Sequence, residues 1–337
     1  MTTLLDPTGT QMASHTAEAN GATGTATTPA HRLRATMAAC RLRWTWFGTQ
    51  KSLTRDQKEL AAAAFDAESP YLSATKRLID TKHSAFRAVT AIRTKATDYW
   101  RGLTLPFPEP GLRLIPQAKV AEFDRTLSDY RVELIDAVAE LDRNFGELKR
   151  AAAGRLGSLF NSNDYPETLT GLFEVQWDYP NVEPPDYLMQ LSPALYEAER
   201  ARVAARFEEA VHLAEQAFAE EFARLVSHLT ERLSGTDADG TPKVFRDSVI
   251  GNLREFFDRF RSLNVRSNAE LDALVEQAQR AVRGVEAQEL RDWSGLRQHV
   301  ASELSQVRSS LDDLLVDRPR RRILRSTPTP APAPGES

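Results

Sequence analysis

Apolar residues recur every three or four positions through most of the chain, which is the period of α-helices that pack against a core. One stretch begins after Gln117 and repeats about every 3.5 residues, the spacing of a heptad seam between helices. Its apolar positions are Val120, Phe123, Leu127, Tyr130, Leu134, Val138, Leu141, Phe145 and Leu148. A second stretch covers 192–233 and repeats after about eleven residues. Both stretches predict long helices.

Shorter helices are predicted at five further places. They cover 54–67, 69–100, a segment that opens at Thr241, a segment from Ser267 or Asn268 to about Gly284, and 290–314. Several of these begin at Ser, Thr or Asn, the residues that cap helix N-termini. The pattern as a whole predicts a mainly α protein, organised as an elongated helical bundle or coiled coil.

Three short segments are predicted to be strands, and in the first and last of them apolar and polar residues alternate, which is typical of strands with one buried face. They lie near 40–47, 112–115 and 173–179. In the first, Leu42 and Trp44 alternate with Arg41 and Arg43. We expect the three strands to form a small antiparallel or mixed sheet that caps the bundle. This requires the helix after Gln117 to fold back within 146–157.

The segment LTLPFPEPGLRLIP, residues 103–116, holds four prolines between two helical patterns. An active-site loop, a membrane-seeking hairpin and a structural corner are the three interpretations. Proline lacks the N–H that a central strand needs and favours extended backbone in the residue before it. The corner interpretation therefore fits best, with 112–115 as a short edge strand after the turn at Gly111.

The two ends of the chain differ from its middle in composition. Residues 1–35 hold few large apolar side chains, and the chain closes with the Pro-rich sequence STPTPAPAPGES. Such segments bury too little apolar surface to offset their conformational entropy. We therefore predict a disordered tail over 1–35, a helical body over 36–317 and a basic, Pro-rich disordered tail over 318–337.

Charge is distributed unevenly in a chain whose net charge is −4. The segment 31–58 carries seven basic residues and one acidic residue, and the C-terminal tail is basic as well. Clustered Arg and Lys can neutralise phosphates of a nucleic acid without reading its sequence. The candidate contacts are Arg41, Arg43, Arg318, Arg320, Arg321, Arg322 and Arg325.

Predictions of the cellular compartment and of membrane association rest on features that are missing from the sequence. No apolar run approaches the roughly 20 residues that a bilayer-spanning helix needs. The N-terminal residues do not show the basic and then apolar pattern of a secretory signal. Cys40 is the single cysteine, so no internal disulfide is possible. These features predict a cytoplasmic protein without a membrane partner.

Two motifs suggest metal binding, and neither is complete. Glu209 and His212 have the Glu-x-x-His spacing of di-iron bundles, but the sequence holds no second copy. The segment from Asp237 begins like a calcium loop, but Thr241 and Ser248 stand where acidic ligands are required. No phosphate-binding glycine loop or nucleophile elbow is present in the sequence. We therefore predict no metal, no cofactor and no catalytic residues.

Four blocks of the sequence carry a family resemblance. They are WFGTQKSL (46–53), SATKRLID (73–80), LPFPEPGLRLIP (105–116) and DYP (164–166) leading into FEV (173–175). In this order, over residues 40–180, they resemble an uncharacterised bacterial and phage family that is known only as a domain of unknown function. The resemblance implies no assigned activity or cofactor, an origin in phages or mobile elements, and neighbouring genes that encode AAA+ ATPases, which makes such an ATPase a candidate partner.

The favoured hypothesis is a non-enzymatic helical scaffold or adaptor that acts through protein–protein contacts. Its partner would be an AAA+ ATPase or a second copy of the chain. The alternative hypothesis is a nucleic-acid-associated protein that uses the basic segment 31–58 and the Arg-rich tail. An enzyme that the motifs do not reveal is the third hypothesis.

Overall fold

A computed structural model describes residues 28–235 and 248–316, in which helices dominate. The helices are α1 (Pro29–Thr36), α2 (Arg55–Ala63), α3 (Ser84–Leu103), α4 (Val120–Arg143), α5 (Phe145–Leu156), α6 (Tyr187–Leu191), α7 (Pro193–Ser234), α8 (Ser248–Leu263), α9 (Ala269–Ala281), α10 (Ala287–Asp292) and α11 (Ser294–Val316). The strands are β1 (Met37–Thr45), β2 (Gln50–Ser52), β3 (Thr75–Arg77), β4 (Leu105–Pro106), β5 (Leu112–Pro116) and β6 (Glu174–Asp178). The prediction of a mainly α protein with a small antiparallel sheet is confirmed.

The main sheet has the strand order β4-β5-β1-β6, and each neighbouring pair is antiparallel. Ala39 pairs with Leu114 on one side of β1, and Trp44 pairs with Val175 on the other. The three predicted strands are therefore present and adjacent. The chain reaches β6 because Asn144 separates α4 from α5 and because α5 ends at Gly157, whose φ is +52°.

The sheet lies between two groups of helices rather than at the end of a bundle. Leu112 and Leu114 of β5 belong to a core formed mainly with α7, α8, α9 and α11. Ile115, which points to the opposite face, belongs to a core formed with α3, α4 and α5. Both faces of the sheet are therefore covered, and the corner at 103–116 joins the two cores.

The helix predicted over 69–100 is wrong in its first part. Residues 69–71 form a single 3₁₀ turn, β3 follows, and the long helix α3 begins only at Ser84. The His83 side chain caps α3 by accepting a hydrogen bond from the Ala85 N–H. Pairing of β3 with β2 overrides the helical spacing of Leu72, Leu78 and Ile79, because pairing satisfies the backbone and buries the last two side chains.

Helix α7 confirms the long helix predicted over 192–233. Its apolar stripe packs against α8 and α11, and Phe222 stacks on Phe256 with ring centroids 5.1 Å apart. The predicted continuous helix over 290–314 is wrong, since α10 and α11 are separate helices. Trp293 lies at the break and is 68% exposed, so the heptad pattern does not continue through it.

The predicted N-terminal tail extends too far into the chain. Residues 29–36 form α1, which begins with Pro29 at its first turn after the capping residue Thr28. Ala30 and Leu33 are buried against the α7 core, and this packing stabilises a helix with few apolar residues. Residues 29–35 of the predicted tail are therefore part of the fold. The remainder of the predicted tail, and all of the predicted tail at 318–337, lie outside the described residues.

Candidate functional site

The first candidate site is the pair of arginines on β1 that were predicted to contact nucleic acid. Arg41 donates two hydrogen bonds to the carboxylate of Asp178 on β6, at 3.0 and 2.8 Å, and Arg43 lies 3.3 Å from the same carboxylate. The Arg41 hydrogen bonds keep the pKa of Asp178 below its usual range. Both arginines therefore share one counter-ion across the β1–β6 pair and support the sheet.

Most of the remaining basic side chains in 31–58 also have partners within the fold. Arg34 forms a bidentate ion pair with Glu183, and Arg32 donates to the Val265 carbonyl at 2.7 Å. Lys51 lies 2.6 Å from Asp164, and Arg55 pairs with Glu59 within α2. Acidic residues elsewhere in the chain compensate part of the positive charge of this segment, because Arg41 and Arg43 share one carboxylate and Arg32 contacts a neutral carbonyl. The predicted contacts Arg318, Arg320, Arg321, Arg322 and Arg325 lie outside the described residues.

The second candidate site is a projecting segment, residues 53–74, which we call the arm. It leaves the body after β2 and returns at β3, and a backbone hydrogen bond from Leu53 to Ala74 closes its base at 3.1 Å. The arm contains α2, which begins with a capping box between Thr54 and Gln57. Ala62 is the one buried residue of α2, and the helix packs mainly on the 3₁₀ turn at 69–71. The arm therefore contacts chiefly itself.

Large apolar side chains of the arm are exposed to solvent. Leu60, Phe65 and Tyr71 are 75%, 81% and 87% exposed. Asp66 reverses the chain between the last two, with a φ of +50°. Because hydrophobic side chains lower the free energy by leaving water, the arm is a candidate surface for binding another molecule.

A buried ion cluster holds the base of the arm to the body. The Lys76 ammonium lies 2.6 Å from the Asp164 carboxylate and donates to the Leu159 carbonyl at 2.6 Å. Lys51, on the paired strand, contacts the other oxygen of the same carboxylate. Lys51 and then Lys76 lower the pKa of Asp164 by hydrogen bonding to it. Next to this cluster, the Tyr165 hydroxyl donates to the Leu78 carbonyl. The base of the arm is thus fixed although its tip is exposed.

A second group of exposed apolar residues lies where α6 meets α7. Tyr187, Met189, Leu191 and Leu195 are each about half exposed or more. Ser192 separates the two helices and caps α7 by accepting from the Leu195 N–H. Of the eleven large apolar side chains that the described residues expose, seven lie in the arm or in this segment. Exposed apolar surface is therefore concentrated in two places.

Residues that suggested chemistry in the sequence have ordinary surroundings. Cys40 is buried in the sheet, and this burial raises the pKa of its thiol to about 12. His212 is exposed on α7. Within 28–235 and 248–316, no group of three His, Cys, Asp or Glu side chains is arranged to hold a metal ion. None of the helices in these ranges is both long and apolar enough to cross a bilayer.

Sequence reasoning missed the arm and its anchor. The capping residue Thr54 predicted α2, but its exposure depends on the absence of a packing partner, which periodicity does not encode. Lys76 and Asp164 lie far apart in sequence, and no motif joins them. One signal was available, because Lys51, Lys76 and Asp164 each fall in one of the blocks that carry the family resemblance.

Comparisons with protein-family models, with curated proteins and with solved structures find no match to this chain.

Proposed function

We propose that the protein is a non-enzymatic adaptor that engages a protein partner through the arm. The observation that carries the proposal is the exposure of Leu60, Phe65 and Tyr71 on a segment that is clamped at its base. Burying such side chains in an interface contributes roughly 1.5–3 kcal/mol each. Aromatic residues are also common among those that dominate binding energy at protein interfaces.

The anchored base favours binding for a second reason. A segment that must become ordered on binding loses conformational entropy, which weakens its affinity. The arm is already fixed by β2–β3 pairing and by the contacts of Lys76 with Asp164 and Leu159. Its apolar side chains are therefore presented at a defined position, and less entropy is lost when a partner binds.

The proposal also covers the kind of partner, the arrangement of the long helices and the cellular location. The family resemblance supports an AAA+ ATPase as the partner, in a phage or mobile-element setting, and the long apolar stripes support a second copy of the chain as the other candidate. The long apolar stripes of α4, α7 and α11 support an elongated, coiled-coil-like arrangement. A location in the cytoplasm also remains a proposal.

The test replaces the three exposed side chains together, as Leu60→Ser, Phe65→Ser and Tyr71→Ser. Sedimentation velocity of the purified chain measures self-association, and a photo-crosslinker at position 65 captures a partner in the native host cell. We expect one of these contacts to be present in the parent chain and lost in the triple variant. The fold should be unaffected, because the three side chains are mostly in water before the change.

The matched control is Val132→Ser with Ile135→Ser, which removes two exposed apolar side chains from α4. This control should keep the contact. A partner that both variants retain equally, or a chain that forms no contact in either measurement, would contradict the proposal.

A further inference from the structure

Three arginines from different elements lie together at the C-terminal end of α3. Arg101 belongs to the last turn of α3, Arg113 to β5, and Arg259 to α8. The corner at 103–116 brings the first two together, and the packing of α8 against α3 adds the third. None of the blocks, motifs or basic segments discussed above identifies this group as a site.

Arg113 is a half-buried cation without a carboxylate partner among the described residues. Its guanidinium donates to the Thr104 hydroxyl at 2.7 Å and to the Thr104 carbonyl at 2.8 Å, and it lies 5.7 Å from the centre of the Trp100 ring. Burial, followed by the charges of Arg101 and Arg259, lowers the pKa of Arg113 to about 10. The positive charges of Arg101 and Arg259 therefore both act on Arg113.

The negative charge near these arginines is smaller than their positive charge. Glu221 of α7 pairs with Arg259, and no carboxylate in the described ranges pairs with Arg101. The C-terminus of α3, to which Arg113 is hydrogen-bonded, supplies only about half a negative charge. An excess of about one and a half positive charges thus remains at this position.

A small cavity lies against the same group. Its volume is about 120 Å³, and its polar lining consists of Arg101, Thr104, Glu221 and Arg259. Arg113 is not part of the lining, but it donates a hydrogen bond to the lining residue Thr104. The rest of the lining is apolar, with Phe218 among it. Low polarity in the walls strengthens the interaction of the two lining guanidinium groups with a negative charge.

We propose that this cavity binds a tetrahedral oxyanion of the phosphate class. Arginine pairs with phosphate oxygens through two parallel N–H groups, and such charge-assisted bonds are about twice as strong as neutral ones. The volume of about 120 Å³ accommodates a small oxyanion, since a water molecule needs about 10–15 Å³ on the same measure. The ligand is either free phosphate or the terminal phosphate of a larger molecule whose remainder stays outside the cavity.

Isothermal titration calorimetry of the full chain with inorganic phosphate tests this site, with chloride at equal ionic strength as the reference. We expect one binding site per chain. Arg101→Gln should weaken binding about tenfold, because it removes one charge-assisted hydrogen-bond donor. Glu221→Gln should tighten binding about threefold, because it removes the negative charge that competes for Arg259.

The controls are Arg87→Gln on α3 and Glu220→Gln on α7, which make the same chemical changes on the same helices away from the cavity lining. Both should leave the dissociation constant unchanged. Arg101 is exposed, so its variant is expected to fold, and far-UV circular dichroism verifies this.

A second titration with phenyl phosphate separates the two sources of the ligand. Binding of both compounds indicates a terminal phosphate group, and binding of inorganic phosphate alone indicates the free ion; each supports the site. Absence of saturable phosphate binding overturns the proposal, as does equal binding by the parent chain and the Arg101→Gln variant. Binding of an acidic peptide instead of phosphate overturns it in favour of a protein carboxylate.

Discussion

Lys76 and Arg113 are both cations on short strands, and the fold neutralises them in different ways. The Lys76 side chain is 5% exposed and lies between the Asp164 carboxylate and the Leu159 carbonyl. Arg113 is bound only by neutral oxygens of Thr104 and faces the Trp100 ring. The first cation lies beside a carboxylate of the chain, which it shares with the more exposed Lys51, whereas the second has no carboxylate partner in the described ranges.

This difference indicates what each cation contributes. A buried cation with a matched carboxylate holds two parts of the chain together, because separating them would leave two isolated charges in a medium of low polarity. A cation whose counter-charge is incomplete, beside a cavity, is instead able to attract an anion from solution. The Lys76 cluster is therefore structural and fixes the arm, while the Arg113 group is the better candidate for a ligand.

The largest expected effect comes from removing the counter-charge of Lys76. Asp164→Asn should lower the free energy of unfolding by about 3 kcal/mol, because it leaves a buried ammonium group without its partner. Urea denaturation followed by circular dichroism measures this loss. Lys51→Met is the control, since the Lys51 side chain is 55% exposed and should contribute only about 0–1 kcal/mol. Equal losses in the two variants would contradict a buried cluster.

The pH dependence of stability provides a second test of the same cluster. The pKa of Asp164 is lowered in the folded chain, so its contribution is fully present above its unfolded pKa of about 3.9. That contribution is lost as the pH falls from that value through the folded pKa. The difference in urea midpoint between the parent chain and Asp164→Asn should thus be constant from pH 7 to about 5 and shrink towards pH 3. A difference that grows as the pH falls would have the wrong sign.

The sequence predicted those helices and strands that are determined by their own residues. Alternation in 40–47 and 173–179 identified β1 and β6, and the long stripe identified α7, because periodic burial is a local property. The strand β3 was missed for the opposite reason. Thr75, Lys76 and Arg77 show no apolar alternation, and they form a strand because of β2 and Asp164.

The candidate sites were less predictable than the fold, because they are made by contacts between distant segments. Arg41 looked like a free cation until β6 placed Asp178 beside it. Arg101, Arg113 and Arg259 come together only through the corner and the packing of α8. Charge density along the sequence identified 31–58, whose basic side chains mostly have partners within the fold, and did not identify Arg113, which has no carboxylate partner in the described ranges.

A smaller loss of stability is expected at Arg113 than at Asp164. Arg113→Met should lower the free energy of unfolding by about 1 kcal/mol, because the Thr104 carbonyl loses its donor while the cost of burying a charge is relieved. Urea denaturation under the same conditions measures it, and Arg113→Lys is the control for the bidentate geometry. A loss of stability as large as that of Asp164→Asn would show that the charge of Arg113 is compensated within the fold as fully as that of Lys76.

The smallest effect is expected for the two arginines of β1, which are partly exposed and share Asp178. Arg41→Gln should lower the urea midpoint more than Arg43→Gln, because Arg41 makes two hydrogen bonds to Asp178 and Arg43 makes one longer contact. Neither change should alter the affinity of the chain for double-stranded DNA, measured at several salt concentrations. A phosphate contact would instead reduce the salt dependence by about one counterion for each arginine removed. If DNA binding is present and disappears only when 318–337 is deleted, the tail binds DNA and the β1 arginines stabilise the sheet. If DNA binding weakens in the β1 variants, the ion pairs of Arg41 and Arg43 with Asp178 must break when DNA binds.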